Sequence, residues 1–354
     1  MKRSLPFFFI LLLMSCQGSS SHAPEADARF QGSAMTIRYT ILIGRALGFA
    51  ERYSIQSIID QTFSEIDSTY NKWNPYSELS ALNKLPKGVA VPISPGLEGL
   101  LTLSDTIHRL TFGRFDPTME PLQDLWRRNL ESGTVPSSRE VDELLPALGW
   151  DKIHFASGQF YKDHDLVSID LSGIAKGFCV DLLIERLGAA GFPDIFVEWG
   201  GEVRAAGRHP AKRPWTVFIS RLNDADPERA LAIVPLKDQA LATSGDYLQN
   251  WTTVQSNDPK KTVTYTHIMD PLNKRPLIAT HQSIATASVL APSCALADGL
   301  ATAAMIFSSP QEARSWALAI QDQIPTTIFW IASRSELYDQ NEKEKGDNAP
   351  CEKL

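Results

Sequence analysis

The sequence predicts an α+β fold in one large domain. Three observations carry that expectation. Amphipathic helical periodicity marks the first and last thirds of the chain, short strand candidates crowd the middle with one helix among them, and 43% of the 354 residues are hydrophobic, enough for a substantial core. Strands that follow one another without intervening helices argue against an alternating parallel sheet.

Taken in order, residues 1–16 read as a targeting segment. Lys2 and Arg3 give it a basic start, and Leu5 to Met14 form an apolar run too short to span a bilayer. The run ends in Leu13-Met14-Ser15-Cys16, which resembles a bacterial lipoprotein signal with Cys16 as the lipidated first residue of the mature chain; an ordinary cleaved signal peptide is the alternative. Either reading puts the mature protein outside the cytoplasm, and the first one makes it a lipid-anchored protein of the cell envelope, facing the periplasm. Residues 17–29, rich in Ser, Ala, Pro and Glu, read as a flexible tether, residues 30–332 as the folded domain, and residues 333–354 as a charged, disordered tail.

Within the domain, Thr36 to Ile43 is rich in β-branched residues and reads as a strand, and Ile55, Ile58, Ile59, Phe63 and Ile66 recur at helical spacing after it. A second helix carries Leu97, Leu100, Leu101, Ile107 and Leu110, and a third lies between Ser138 and Leu148 with Ser138 as its cap. Strands are expected at 153–155, 159–161 and 166–169, a helix at 174–187, then strands at 195–199, 203–206, 215–220 and 230–236. A strand at 282–289, helices at 295–307 and 311–320, and a strand at 326–331 complete the pattern.

The formal net charge of −7 leaves no basic field for a phosphate backbone, so nucleic acid is not an expected partner. Cysteines at 16, 179, 294 and 351 show neither a disulfide framework nor zinc spacing. Cys179 and Cys294 sit in apolar surroundings and read as small core residues, with a disulfide between them as the alternative.

Several segments carry groups suited to chemistry. In the predicted helix Asp298-Gly-Leu-Ala-Thr302, positions four apart share a face, so a carboxylate and a hydroxyl meet at one spot. Two hard oxygen donors suit Mg2+, which takes one or two carboxylates completed by carbonyls, waters and substrate phosphates. The same pair also fits a surface helix whose acid complements the helix dipole. Asp170-Leu-Ser-Gly-Ile-Ala-Lys-Gly177 closes an apolar stretch and opens a helix, where backbone N–H groups bind anions beside the charge of Lys176; a glycine-permitted turn with a solvated lysine reads equally from those residues. In Tyr265-Thr-His-Ile-Met-Asp-Pro271, His267 is a candidate general base or a structural hydrogen-bonding residue. Trp73 and the segment from Phe115 to Trp126 offer aromatic rings that either stack on a flat ligand or pack in the core.

In order along the chain, FDPT, PLQDLW, DLSGIAKG, GGEVRAAG, LATSGDY, THIMDP and ADGLATA resemble the successive motifs of the FAD:protein FMN transferases, the ApbE family. The resemblance runs from about Phe30 to Ile331 and implies a single α+β, T-fold-related domain with magnesium beside the pyrophosphate of FAD. It implies Asp298, Thr302 and the carbonyl of Gly173 as metal ligands. It places Asp170 and Lys176, with Met35, Trp73, Arg114, Phe115 and Asp116, around FAD. His267, or Asp246 of the SGDY segment, would take the proton of an attacking hydroxyl. The acceptor it implies is a flavoprotein subunit of a membrane electron-transfer complex. The sequence departs from the family pattern at Met35-Thr36-Ile37, where Met-Gly-Thr is usual, and at Leu248-Gln249-Asn250, where Arg-Asn follows the SGDY segment. Asn273-Lys274 replaces a Thr-Gly, and Gly173 an alanine. An FAD pyrophosphatase and a catalytically silent flavin-binding lipoprotein are the competing expectations.

Overall fold

A computed structural model describes residues 28–221, 226–247, 249–255 and 258–337. The expected signal segment with Cys16, most of the tether and the tail beyond residue 337 lie outside the described residues.

The chain opens with a hairpin rather than one strand: β1 (Ala28–Ala34) pairs with β2 (Ile37–Ile43) across a turn at Met35 and Thr36, both with positive φ. Thr36, at φ 67, is β-branched in a conformation that glycine adopts freely, a strained choice held by the flanking ladder. Helices α1 (Phe49–Thr69) and α2 (Glu78–Asn83), the short strand β3 (Val91–Pro92), and helices α3 (Pro95–Leu110), α4 (Glu120–Glu131) and α5 (Ser138–Leu144) follow. Ser137, not Ser138, caps α5, because a capping box with Glu140 satisfies the first free N–H groups. Strands β4 (Ile153–Ala156) and β5 (Gln159–Lys162) pair with each other and with β3.

The expected strand at 166–169 does not form. Side chains take the place of a ladder there: Asn83 both donates to Ile169 O (2.9 Å) and accepts from Ile169 N (2.8 Å), and the buried Lys162 ammonium donates to the carbonyls of Asn83, Asp165 and Val167. Every backbone group so held is satisfied without a neighbouring strand.

Helix α6 (Ala175–Ala189) leads into β6 (Ile195–Trp199), β7 (Glu202–Ala206), β8 (Trp215–Ile219), β9 (Ala232–Leu236) and β10 (Ala240–Gly245). The strands β11 (Asn250–Gln255), β12 (Asp258–Asp270) and β13 (Arg275–Ile278) make a separate small sheet, after which come β14 (Ile284–Ala291), α7 (Cys294–Ala304), α8 (Pro310–Gln323) and β15 (Ile328–Ser333). The principal sheet is antiparallel in the order β1-β2-β6-β7-β10-β14-β15. Its main core lies under α1, α3, α6 and α7, while the β8–β9 hairpin covers the opposite face through Trp215, Val217, Val234 and Leu236. β14 is buried along its whole length, as a central strand covered on both sides must be.

The C-terminal boundary expected at residue 332 needs correction. Ser333 completes β15, Glu336 accepts from Ser333 N and from Arg314, and Leu337 is buried, so residues 333–337 belong to the folded body. Cys179 and Cys294 are free and buried, which settles the choice between core residues and a disulfide. Among the described residues no helix is long and apolar enough to cross a membrane.

Candidate active site

Helices α6 and α7 meet with almost no space between their first turns. A methyl group on Gly177 would overlap the carbonyl of Cys294, so glycine is required for the approach. Asp181 of α6 locks it by accepting from the N–H groups of Cys294 (2.8 Å) and Ala295 (2.9 Å) at the start of α7, while Arg204 pairs with its carboxylate at 2.7 Å. The result sets Asp298, one turn into α7, against Gly177 N, which donates to its Oδ2 at 3.2 Å.

A cavity of about 300 Å³ opens at this junction, lined by Arg114 to Pro117, Asp170, Gly173, Lys176, Glu202, Thr243 to Gly245, His267, Asp298 and Thr302. Nine of the residues that the sequence singles out stand on its wall: Arg114, Phe115, Asp116, Asp170, Gly173, Lys176, His267, Asp298 and Thr302. Thr302 Oγ1 lies 3.3 Å from Ser244 Oγ, and a methyl on Gly173 would come within 3.2 Å of that same Thr302 oxygen and 3.4 Å of the Phe115 ring. Gly173 and Thr302, 129 positions apart in sequence, are therefore neighbours, with Asp298 one turn before Thr302 on α7. Helix α6 begins with no side-chain cap at Ile174; Leu171 O accepts from Ala175 N at 2.8 Å and Asp298 from Gly177 N, so the protein itself takes up these first N–H groups.

The charges here are tightly interlocked. Lys176 Nζ is paired with Glu202, whose other oxygen, Oε2, is buried without any hydrogen-bond partner. Burial, with Asp298 close by, pushes the Glu202 carboxyl up to about 7 against the pull of Lys176. Asp298 is likewise raised by burial, against the opposing charge of Lys176 and the Gly177 N–H. For Lys176, burial works against its charge, but Asp298 and Glu202 outweigh it and hold the ammonium firmly protonated. Glu202 was legible in the sequence only as part of a glycine turn; the pairing with Lys176 makes it a site residue.

Asp170 stands on the wall with both oxygens engaged by the protein. Oδ1 accepts from Ser172 N and Oγ at 2.8 and 2.5 Å, and Oδ2 from Lys72 at 2.7 Å. Lys72 also pairs with Glu120, whose carboxyl burial and the Asp170 charge raise to about 6. Asp170 thus shapes the turn that presents Gly173. Asp116 similarly caps the turn at Thr118, accepting from its N and Oγ1 at 2.8 and 2.5 Å. Arg114 lies 4.0 Å from the Phe307 ring centre and 3.8 Å from Glu312.

His267 forms part of the wall between this cavity and a second one of about 280 Å³ lined by Lys72, Trp73, Trp126 and Trp251. Its Nδ1 is 3.2 Å from Gln249 O, a carbonyl that can only accept, so Nδ1 carries the hydrogen and Nε2 is left as the basic nitrogen. Burial lowers its pKa, with the Gln249 carbonyl and Asp246 acting in the opposite direction, so the ring is neutral at pH 7. Trp73 belongs to the second cavity, 69% exposed, with Lys72 Nζ 4.7 Å from its ring centre.

Two expected site residues fall elsewhere. Met35, in the β1–β2 turn, lines a separate depression with Tyr39 and Phe63 instead of the cavity, because the turn packs it against the core beside α1. Asp246 does not line the cavity either. Its carboxylate is held by Arg334 with both oxygens at 2.6 Å, and burial raises its pKa against that pull. A carboxylate so engaged fixes the segment before Gln249 and is not free to act as the base.

Among the described residues no cluster of three or more His, Cys, Asp or Glu side chains forms a metal site. The donors that do converge are a carboxylate, a hydroxyl and the backbone at Gly173, a set for a hard cation or a phosphate and not for zinc.

The cavity brings a buried acid pair, a lysine and an imidazole together, and the comparisons give the class: the chain is a transferase. It belongs to the ApbE family, whose family model matches residues 32–328. The chain is 40% identical over 315 residues to an FAD:protein FMN transferase of Chlamydia pneumoniae, covering 88% of this chain and 94% of that one. It is 30% identical over 322 residues to an enzyme of the same name from Vibrio cholerae, covering 90% and 91%. Among solved structures, the flavin transferase ApbE from Vibrio cholerae superposes with a TM-score of 0.71 at 27% identity, over 88% of this chain and 98% of that one. The apo flavinyl transferase ApbE of Pseudomonas stutzeri gives 0.73 at 25%, over 89% and 96%.

Proposed function

We propose that this chain transfers the FMN moiety of FAD to a serine or threonine hydroxyl of a partner flavoprotein, with release of AMP, and that Mg2+ assists. Flavin transfer with FAD as substrate follows from the family and from the relatives' names. The observation that carries the chemistry is the convergence of Asp298, Thr302, Gly173, Lys176 and His267 on one cavity wall.

The residues fit a divalent cation. Two buried carboxylates, Asp298 and Glu202, share one lysine, and Glu202 Oε2 has no partner, so negative charge is left unbalanced. Asp298, Thr302 and Gly173 would hold Mg2+, which when bound neutralises charge on the bridging phosphates of the substrate. Lys176, on the cavity wall, orients the pyrophosphate. His267 Nε2 takes the proton as the acceptor oxygen bonds to the FMN-side phosphorus, and the bond from that phosphorus to the AMP oxygen breaks, AMP leaving with the electron pair. Phe115 and Trp73 supply ring faces for the flavin.

The segment ending in Cys16 and the family resemblance support an enzyme tethered by lipid to the cell envelope and facing the periplasm, with a subunit of a membrane electron-transfer complex as acceptor. The test is to incubate the protein with FAD, Mg2+ and an acceptor and follow covalently bound flavin by in-gel fluorescence. Asp298→Ala is expected to abolish Mg2+-dependent transfer, and full activity in that variant would overturn the metal assignment. Free FMN formed equally with and without acceptor would mark hydrolysis in place of transfer.

A further inference from the structure

We infer that the end of the sheet where β2 runs into α1 is a docking face for an anionic lipid surface. Ala28 pairs with Ile43, so the described chain begins beside the loop that follows β2. Gly44 N donates to Asp194 O at 2.7 Å, and a methyl on Gly44 would lie 3.2 Å from Arg208 O, which brings the loops at 44–48, 192–194 and 207–214 together at this end.

Together these loops expose Arg45, Arg208, Lys212 and Arg213. Three carboxylates stand beside them: Glu51 pairs with Arg45 at 2.7 Å, while Asp194 and Asp238 accept from the backbone N–H groups of Arg208 (2.8 Å) and Gly207 (2.9 Å), leaving Arg208, Lys212 and Arg213 as the cations free to meet an anionic surface. Beside the cations, Phe49 is 89% and Tyr53 74% exposed, one turn apart on the same face of α1. Exposed rings flanked by Arg and Lys are the pattern of a bilayer interface, where rings sit at headgroup depth and cations meet anionic phosphates. A local cluster of cations on a chain of net charge −7 selects that surface by charge.

The inference rests on the envelope reading of Cys16. The stretch from Cys16 to Ala28 reaches at most ~40 Å, and it joins the domain at this end, so a lipid there would keep these loops within reach of the bilayer. The catalytic cavity lies at the opposite end of the same strands. Ile37, at the start of β2, packs at Gly200, where a methyl would lie 2.7 Å from Ile37 and 3.8 Å from Lys176 of the cavity wall. The length of β2, about 23 Å for a strand of this length, therefore separates this end of the sheet from the cavity.

The test is amide hydrogen exchange on the full chain reconstituted on vesicles of phosphatidylethanolamine with phosphatidylglycerol, and on phosphatidylcholine vesicles. Exchange at 45–53 and 208–214 is expected to slow on the anionic vesicles only, with 170–177 and 298–302 unchanged. Arg208→Ala, Lys212→Ala and Arg213→Ala are each expected to lower the docked fraction relative to the undocked by about fivefold. Exchange that is the same on both vesicle types, or slowing that appears only when a membrane-protein extract is added, overturns the inference, the latter in favour of a protein partner. Failure of the chain to stay on any vesicle overturns it together with the envelope reading. Flavin transfer to a soluble acceptor, measured in parallel, stays at the parent rate in the three variants; loss of transfer in the parent chain itself bears on the transferase reading and not on this face.

Discussion

At the scale of single residues, the tautomer of His267 decides how the site titrates. Only the neutral ring accepts a proton, and burial places its pKa below the ordinary 6.5, so transfer is expected to hold from pH 8 down through mildly acidic pH and to fall only below that ordinary value. His267→Ala is expected to cut the transfer rate by about 10²–10⁴ while FAD affinity, read by fluorescence titration, stays near that of the parent. Glu202 makes a different prediction. Its carboxyl is raised from 4.5 to about 7 in the fold, so its own contribution to the stability of the metal-free protein is fully present below the unfolded value and is lost as pH rises through about 7. Glu202→Gln should flatten that loss in thermal melts and also shrink the stabilisation gained on adding Mg2+. Asp298 and Thr302 were legible because four positions on one helix share a face. Asp246 was misread because its partner, Arg334, stands 88 positions away, and no local pattern announces such a pair.

At the scale of elements, the α6–α7 contact is the joint on which the site depends. Gly177→Ala forces a methyl into the Cys294 carbonyl, and separation of the helices is expected to cost at least about 1–3 kcal/mol in urea unfolding and to weaken Mg2+ binding, since Gly177 N and Asp298 part. Elements with their own periodicity, such as α1 and α3, were readable from apolar spacing alone. The segment 166–169 was not, because its apolar, β-branched residues suit a strand while Asn83 and Lys162, far away in sequence, satisfy its backbone. The strand β1 escaped notice for the opposite reason: Ala28–Ala34 contains small and polar residues and gains its order from pairing with β2.

At the scale of the whole molecule, the α+β class was legible, but α4, the small β11–β13 sheet and the strand order of the principal sheet were not. β10 and β14 enter between β7 and β15 through long-range pairing that periodicity does not encode. The closing segment shows the cost of reading charge as disorder. A chain ended at Ala332 would lose Arg334 and Leu337 and leave the Asp246 carboxylate buried without its cation, with an expected loss of about 3–5 kcal/mol by urea unfolding.

The two thiols have a consequence for where such a domain can work. Cys179 and Cys294 are both buried, and burial holds both in the protonated form, which neither attacks disulfides nor reacts readily with peroxide. The catalytic body therefore requires no oxidative maturation and offers oxidants no reactive sulfur at these two positions. At Cys179 and Cys294, a change from reducing to oxidising surroundings is expected to leave the thiols as they are.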